Sequence, residues 1–174
     1  PRGEDGDGFV TVQAGVIPIA RAADCVPVLL AGLRADGRPV VSAVHAGWRG
    51  TVSGIAAEAV RVMLSLGCEL PTIRAAIGPH IGYCCYEVGA DFYETVCGLC
   101  GTEFAGRHIT IPAGKVKHHA NLTSMNVEIL TNAGVTPEKI DVSSDCTMCM
   151  NDVYYSHRAT AGKRGVHGAG IGIR

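Results

Sequence analysis

The sequence predicts an α/β or α+β domain built on a layered mixed sheet with flanking helices. Three observations point there. Short strand-like runs alternate with stretches of helical period, one pair of runs is closed by an Asp-Gly turn, and hydrophobic residues at 47% against charged residues at 18% send much of the 174-residue chain inward. That length fits a single catalytic-type domain over residues 1–174. An N-terminal segment is expected upstream of it, because Pro1 is not an initiator residue.

The elements follow in order. Residues 1–8 are polar and glycine-rich and predict a loop, after which Phe9-Val10-Thr11-Val12 alternates like a strand. From Val26 to Val44 the chain reads strand, turn, strand, with Ala35-Asp36-Gly37-Arg38 closing a hairpin. Thr51 to Leu66 repeats Val52, Ile55, Ala56, Ala59, Met63 and Leu66 near a 3.6-residue period and stops at Gly67, which predicts one amphipathic helix. Beyond it come a strand at Ile73 to Ile77, a Gly78-Pro79 turn and a helix at Asp91 to Leu99. A strand at His108 to Ile111, a helix at Asn121 to Ala133 and strands at Ile140 to Val142 and Ala169 to Ile173 complete the series.

Composition removes several function classes. Fifteen basic against sixteen acidic residues give a net charge of -1, with no basic run to neutralise a phosphate backbone, so nucleic acid is not an expected partner. No apolar stretch approaches the 18 or so residues that would cross a bilayer. Eight cysteines in a chain showing no secretory signal read as reduced thiols, which predicts a cytoplasmic protein.

The chemistry concentrates at two places joined by the hairpin. Cys25 stands just before one strand and His45 just after its partner, so antiparallel pairing brings both to one end of the sheet. Together they are either two ligands of a catalytic zinc or a Cys nucleophile with its His base, and taken singly Cys25 also suits a buried small residue. Arg49, with the helix expected to start just after Gly50, makes an anion pocket at the same corner. Gly47 and Gly50 suit a backbone that a ligand must approach closely.

Other residues are open to two readings. Cys97/Cys100 and Cys146/Cys149 form two Cys-x-x-Cys pairs, either one four-thiolate zinc site or simply packed thiols. The adjacent Cys84 and Cys85 cannot easily form a relaxed disulfide with each other. Glu87 is a general base, a hydroxyl acceptor or a solvated acid. His118-His119 is a metal-site pair or a surface pair at a helix start.

Ala-Asp-Cys-Val-Pro-Val-Leu-Leu, Val-His-Ala-Gly-Trp-Arg-Gly, Ile-Gly-Pro-His-Ile-Gly-Tyr-Cys-Cys-Tyr-Glu-Val-Gly, Asp-Cys-Thr and Tyr-Ser-His-Arg together closely resemble the laccase-domain family, long labelled multicopper polyphenol oxidoreductases. The resemblance covers nearly the whole chain. It implies a layered α/β fold of the cysteine-hydrolase-like kind and a zinc-dependent enzyme that phosphorolyses or deaminates adenosine, inosine and related purine nucleosides, with nucleoside and phosphate as partners. It also implies that Cys25 and His45 are metal ligands and that the third, a His, lies upstream of Pro1. These residues alone are therefore expected to bind zinc weakly and to show little phosphorolysis. By the same resemblance Tyr86-Glu87-Val88-Gly89 is a substrate-side loop, which with Arg49 and Arg158 makes Glu87 a substrate-binding residue, while Arg34 to Arg38 forms a slightly lengthened loop. His157 replaces an aromatic residue. Copper is the weaker cofactor, since the chain has no His-x-His pair of the multicopper type. A metal-independent Cys-His hydrolase, a laccase-type oxidoreductase and a non-catalytic binding fragment are the alternatives.

Overall fold

The computed structural model describes residues 6–174, so the first five residues of the expected N-terminal loop lie outside it. Its centre is a five-stranded mixed sheet in the order β1-β4-β3-β5-β9, formed by β1 (Gly8–Thr11), β3 (Val26–Leu33), β4 (Pro39–Ala46), β5 (Arg74–Ile77) and β9 (Ile140–Val142). Only the β5–β9 pair is parallel. A ribbon pairs β2 (Ile19–Ala22) with β10 (His167–Gly170), and a small sheet joins β6 (Glu87–Val88), β8 (His118–Ala120) and β7 (Ile109–Thr110). The helices are α1 (Trp48–Val52), α2 (Ile55–Ser65), α3 (Ala90–Cys100), α4 (Thr102–His108) and α5 (Leu122–Asn132).

The β3–β4 hairpin is the expected one, with Gly37 at φ 78° in the left-handed region its turn needs. The two strands carry the middle of the core. Val26, Val28 and Leu30 of β3 and Val40 and Val44 of β4 are fully buried beneath Ala56, Val60 and Met63 of α2, which also packs on α5 through Met125 and Leu130. Each such aliphatic side chain contributes roughly 1.5–3 kcal/mol on burial. Asn121 caps α5 by accepting from the Ser124 amide at 3.0 Å.

Several expectations are corrected. The helix expected over Thr51 to Leu66 is two, α1 and α2, because Gly54 at φ 75° turns the chain left-handed between them. The first begins at Trp48, before the expected start, and is one short turn. The strand expected at His108 to Ile111 is reduced to β7, since α4 extends through His108. His118 and His119 lie in a strand and not at a helix start, and His119 is buried. The last strand begins at His167, two residues ahead of the Ala169 expected, because its partner β2 sets the register.

Candidate functional site

Register places the two central residues. Pro27 of β3 faces His45 of β4 and Val26 faces Ala46, so Cys25, one residue before β3, meets the end of β4. Asp24 makes this corner rigid. It is buried at φ 83°, uncommon for a residue with a side chain, and its carboxylate accepts from Thr147 Oγ1 at 2.7 Å and from the Arg158 amide at 2.7 Å. Its carbonyl also accepts from the Ile81 amide at 3.0 Å.

Cys25 and His45 converge on Gly47. A Cβ on Gly47 would lie 3.3 Å from Cys25 Sγ, 3.6 Å from His45 Cε1 and 3.9 Å from His45 Nε2, a space that only glycine leaves open. His45 Nδ1 donates to Asp7 Oδ1 at 3.0 Å, which turns the Nε2 edge of the ring away from Asp7. Cys25 beside the ring and, against the opposing effect of burial, Asp7 raise His45 to a pKa of about 9. The donor set fits zinc as far as it goes, one thiol and one imidazole whose orientation is fixed by a carboxylate. Among the described residues no third His, Cys, Asp or Glu closes a metal-sized group with them.

The residues expected on the substrate side meet in a neighbouring pocket. Arg49, Glu87 and Arg158 line it with Trp48, Tyr86 and Phe92, and its volume of ≈ 380 Å³ lies within the range of small-ligand sites, about 300–1,000 Å³. The Arg49 guanidinium lies 4.2 Å from the Trp48 ring centroid, and the Trp48 and Phe92 rings are 4.9 Å apart. Arg158 is held 5.3 Å from the Tyr86 ring centroid and donates from Nη1 to the Glu87 carbonyl at 2.9 Å. Burial pushes Tyr86 up to about 12, with Arg158 and Arg49 opposing and Cys25 reinforcing. The pocket and the Cys25 corner are therefore electrostatic neighbours.

Not every expected role survives this placement. Glu87 pairs with Lys117 at 2.7 Å, which holds its carboxyl below the usual range and suits a fixed acceptor better than a general base. A one-turn α1 gives little dipole, which weakens the expected contribution of its N-terminus to an anion pocket. His80 spends both ring nitrogens on Gly78 and Thr123, and His118 stacks on Tyr93, so neither supplements Cys25 and His45. The two Cys-x-x-Cys pairs do not meet: Cys100 bonds the Val52 carbonyl, whereas Cys146 and Cys149 stand with Cys84 and Cys85. Asp24, Asp7 and the Trp48–Phe92 wall were not singled out from the sequence. Asp24 and Trp48 had a signal, their places in the Ala-Asp-Cys and His-Ala-Gly-Trp-Arg-Gly motifs, while Asp7 and Phe92 needed the fold.

Comparison with known proteins places the chain in a family. A family model described as multi-copper polyphenol oxidoreductase laccase matches residues 2–174. A protein named adenosine deaminase RL5, from an unknown prokaryotic organism, is 33% identical over 158 residues, covering 87% of this chain and 56% of its own length. A purine nucleoside phosphorylase of Deinococcus radiodurans is 36% identical over 169 residues, 97% of this chain and 62% of that protein. The crystal structure of the Bacillus licheniformis protein YfiH superposes with a TM-score of 0.85 at 32% identity, covering 97% of this chain and 61% of the other. The chain thus spans about three-fifths of the length of these relatives. With the model matched from residue 2 to the last residue, the chain belongs to the multi-copper polyphenol oxidoreductase laccase family.

Proposed function

We propose that this chain carries the core of a zinc-dependent purine nucleoside enzyme acting by phosphorolysis or deamination of adenosine, inosine and related nucleosides. The observation that carries the reading is the convergence of Cys25 Sγ and the His45 ring on Gly47, next to a pocket walled by aromatic rings and two arginines. The names of the relatives support it: one is an adenosine deaminase and another a purine nucleoside phosphorylase.

Cys25 and His45 would hold the zinc, with a third protein ligand from outside the described residues, and the metal would supply a polarised water or phosphate oxygen. Asp7 keeps the His45 ring turned for that task. Trp48 and Phe92, tilted 55° to each other, offer apolar ring surface for the purine, while Arg49 and Arg158 hold the phosphate or the developing anion. Glu87, fixed by Lys117, is placed to accept from a sugar hydroxyl. Copper oxidation has less support, because the one group of three or more convergent donors among the described residues contains no histidine. A cytoplasmic setting is part of the same proposal. Among the described residues no helix is long and apolar enough to cross a membrane.

The test is chromatography of adenosine and inosine incubated with the zinc-supplemented chain, with and without phosphate. Slow conversion to free base or to the deaminated nucleoside, lost in Cys25→Ala, is the expected result. Conversion indifferent to Cys25→Ala would overturn the reading, whereas dependence on Cys25 without added metal would favour a Cys-His hydrolase.

A further inference from the structure

Four thiols gather where the turn after β5 meets the segment after β9. The Sγ atoms of Cys84, Cys85, Cys146 and Cys149 all lie within 4.8 Å of one another, with Cys149 3.7 Å from Cys84 and 3.4 Å from Cys85. A tetrahedral ion with Zn–S bonds of about 2.3 Å sets its sulfurs about 3.8 Å apart, so these spacings match a single ion. Iron–sulfur clusters spread their cysteines around a larger core. A disulfide needs sulfurs at about 2.05 Å, well inside the observed separations.

The backbone around Cys146 is shaped for a thiolate. The Gly82 amide donates to Cys146 Sγ at 3.2 Å, and the amides of Met148 and Cys149 also point at that sulfur. Gly82 is required for this approach, because a Cβ there would stand 3.2 Å from Cys84 Sγ and 3.2 Å from Cys146 Cβ. Amide hydrogen bonds stabilise a charged sulfur and do little for a neutral one. Two of the thiols, Cys84 and Cys149, are exposed, which leaves an entry path for an ion.

We propose that Cys84, Cys85, Cys146 and Cys149 form a closed four-thiolate site for a thiophilic divalent cation of the zinc class, separate from Cys25 and His45. On binding, each thiol releases its proton to solvent and no electron moves. The site is linked through the chain to residues of the candidate corner and of the pocket. Cys85 precedes Tyr86 and Glu87, and Cys146 precedes Thr147, whose hydroxyl holds Asp24 and whose amide donates to the His80 carbonyl at 3.0 Å. A bound ion would tie these two segments together and so steady the corner that carries Cys25.

The proposal does not rest on the nucleoside reading, and the test is run in a Cys25→Ser background that removes the other candidate thiolate. Cobalt(II) is titrated into the reduced protein and zinc content is measured by elemental analysis. The expected results are one equivalent of metal, a sulfur-to-cobalt charge-transfer band of four-thiolate intensity and protection of four thiols from a thiol reagent. Cys149→Ser and Cys84→Ser should each weaken metal binding by at least about 100-fold. Both residues are exposed, and melting of the metal-free variants checks that they fold. If a variant does not fold, thiol protection in the Cys25→Ser chain decides the matter. Metal binding indifferent to both serines, uniform reactivity of all the thiols with metal present, or a disulfide within the cluster that forms in place of metal binding would overturn the proposal.

Discussion

Asp24 accepts the backbone amide of Arg158 at 2.7 Å across 134 positions of sequence, and so joins the start of the central hairpin to the far wall of the candidate pocket. The same carboxylate holds Thr147 at 2.7 Å. One buried side chain thereby sets both the backbone turn that presents Cys25 and the placement of Arg158.

Replacing this carboxylate should therefore damage stability and site together. Asp24→Ala leaves the Arg158 amide and the Thr147 hydroxyl without their partner, at about 1–3 kcal/mol for each donor, so a total loss of about 2–6 kcal/mol is expected. Asp24→Asn keeps a carbonyl acceptor and tolerates the left-handed backbone, so it should cost less. Urea unfolding of the two variants checks the order, and an Asp24→Ala chain as stable as the parent would contradict it.

Gly47 gives a narrower test of the Cys25–His45 pair. Its φ of -63° is open to any residue, so Gly47→Ala strains no backbone. Its methyl would still enter the space between the two side chains, 3.3 Å from Cys25 Sγ. The expected outcome is near-parental melting with zinc affinity at this site lowered by about 10-fold or more, measured by chelator competition in a Cys149→Ser background. Unchanged affinity would place the metal elsewhere.

Arg49 is expected to act on substrate and not on the fold. Its side chain is exposed and rests on the Trp48 ring, an interaction of about 0.5–1 kcal/mol at such sites. Arg49→Ala should lower phosphate-dependent nucleoside turnover by about 100-fold while stability changes by no more than about 1 kcal/mol. Initial rates against phosphate concentration, beside a thermal melt, separate the two effects.

The hairpin was legible in the sequence because Asp36-Gly37 and the apolar runs on either side carry their own local signal, and with it came the meeting of Cys25 and His45. The helix after it was misjudged because apolar periodicity runs unbroken through Gly54, and only the left-handed φ there shows the break. The four-thiol group escaped for another reason. Cys-x-x-Cys spacing draws the eye to Cys97 and Cys100, but α3 turns those toward the Val52 end of the core, and the partners of Cys146 and Cys149 come from a turn with no such pattern. Asp24 shows the same limit, since its role depends on Thr147 and Arg158, which tertiary structure alone brings near.

A cluster away from the site predicts how stability depends on pH. His108 is buried at the end of α4, with Nδ1 against Ser124 Oγ at 2.7 Å and Nε2 against Glu128 Oε2 at 2.8 Å. Burial lowers its pKa below the ordinary 6.5, outweighing the nearby carboxylate. The Arg107 fork, 2.6 Å from Glu128 at its shorter contact, holds the Glu128 carboxyl below its ordinary 4.5. Both shifts act with the same sign. As pH falls below about 6.5 the unfolded chain takes up the histidine proton before the folded one does, so stability is lost from there down to the folded pKa of His108. The contribution of Glu128 is present above about 4.5 and is lost as pH falls through its lower folded value. The melting temperature should therefore drop between pH 7 and 5 and drop again below about pH 4.5. His108→Asn, which cannot titrate, should flatten the first drop relative to the parent and leave the second in place. Glu128→Gln should diminish the second. Identical profiles for the parent and His108→Asn between pH 7 and 5 would show that the proton uptake on unfolding in that range occurs elsewhere.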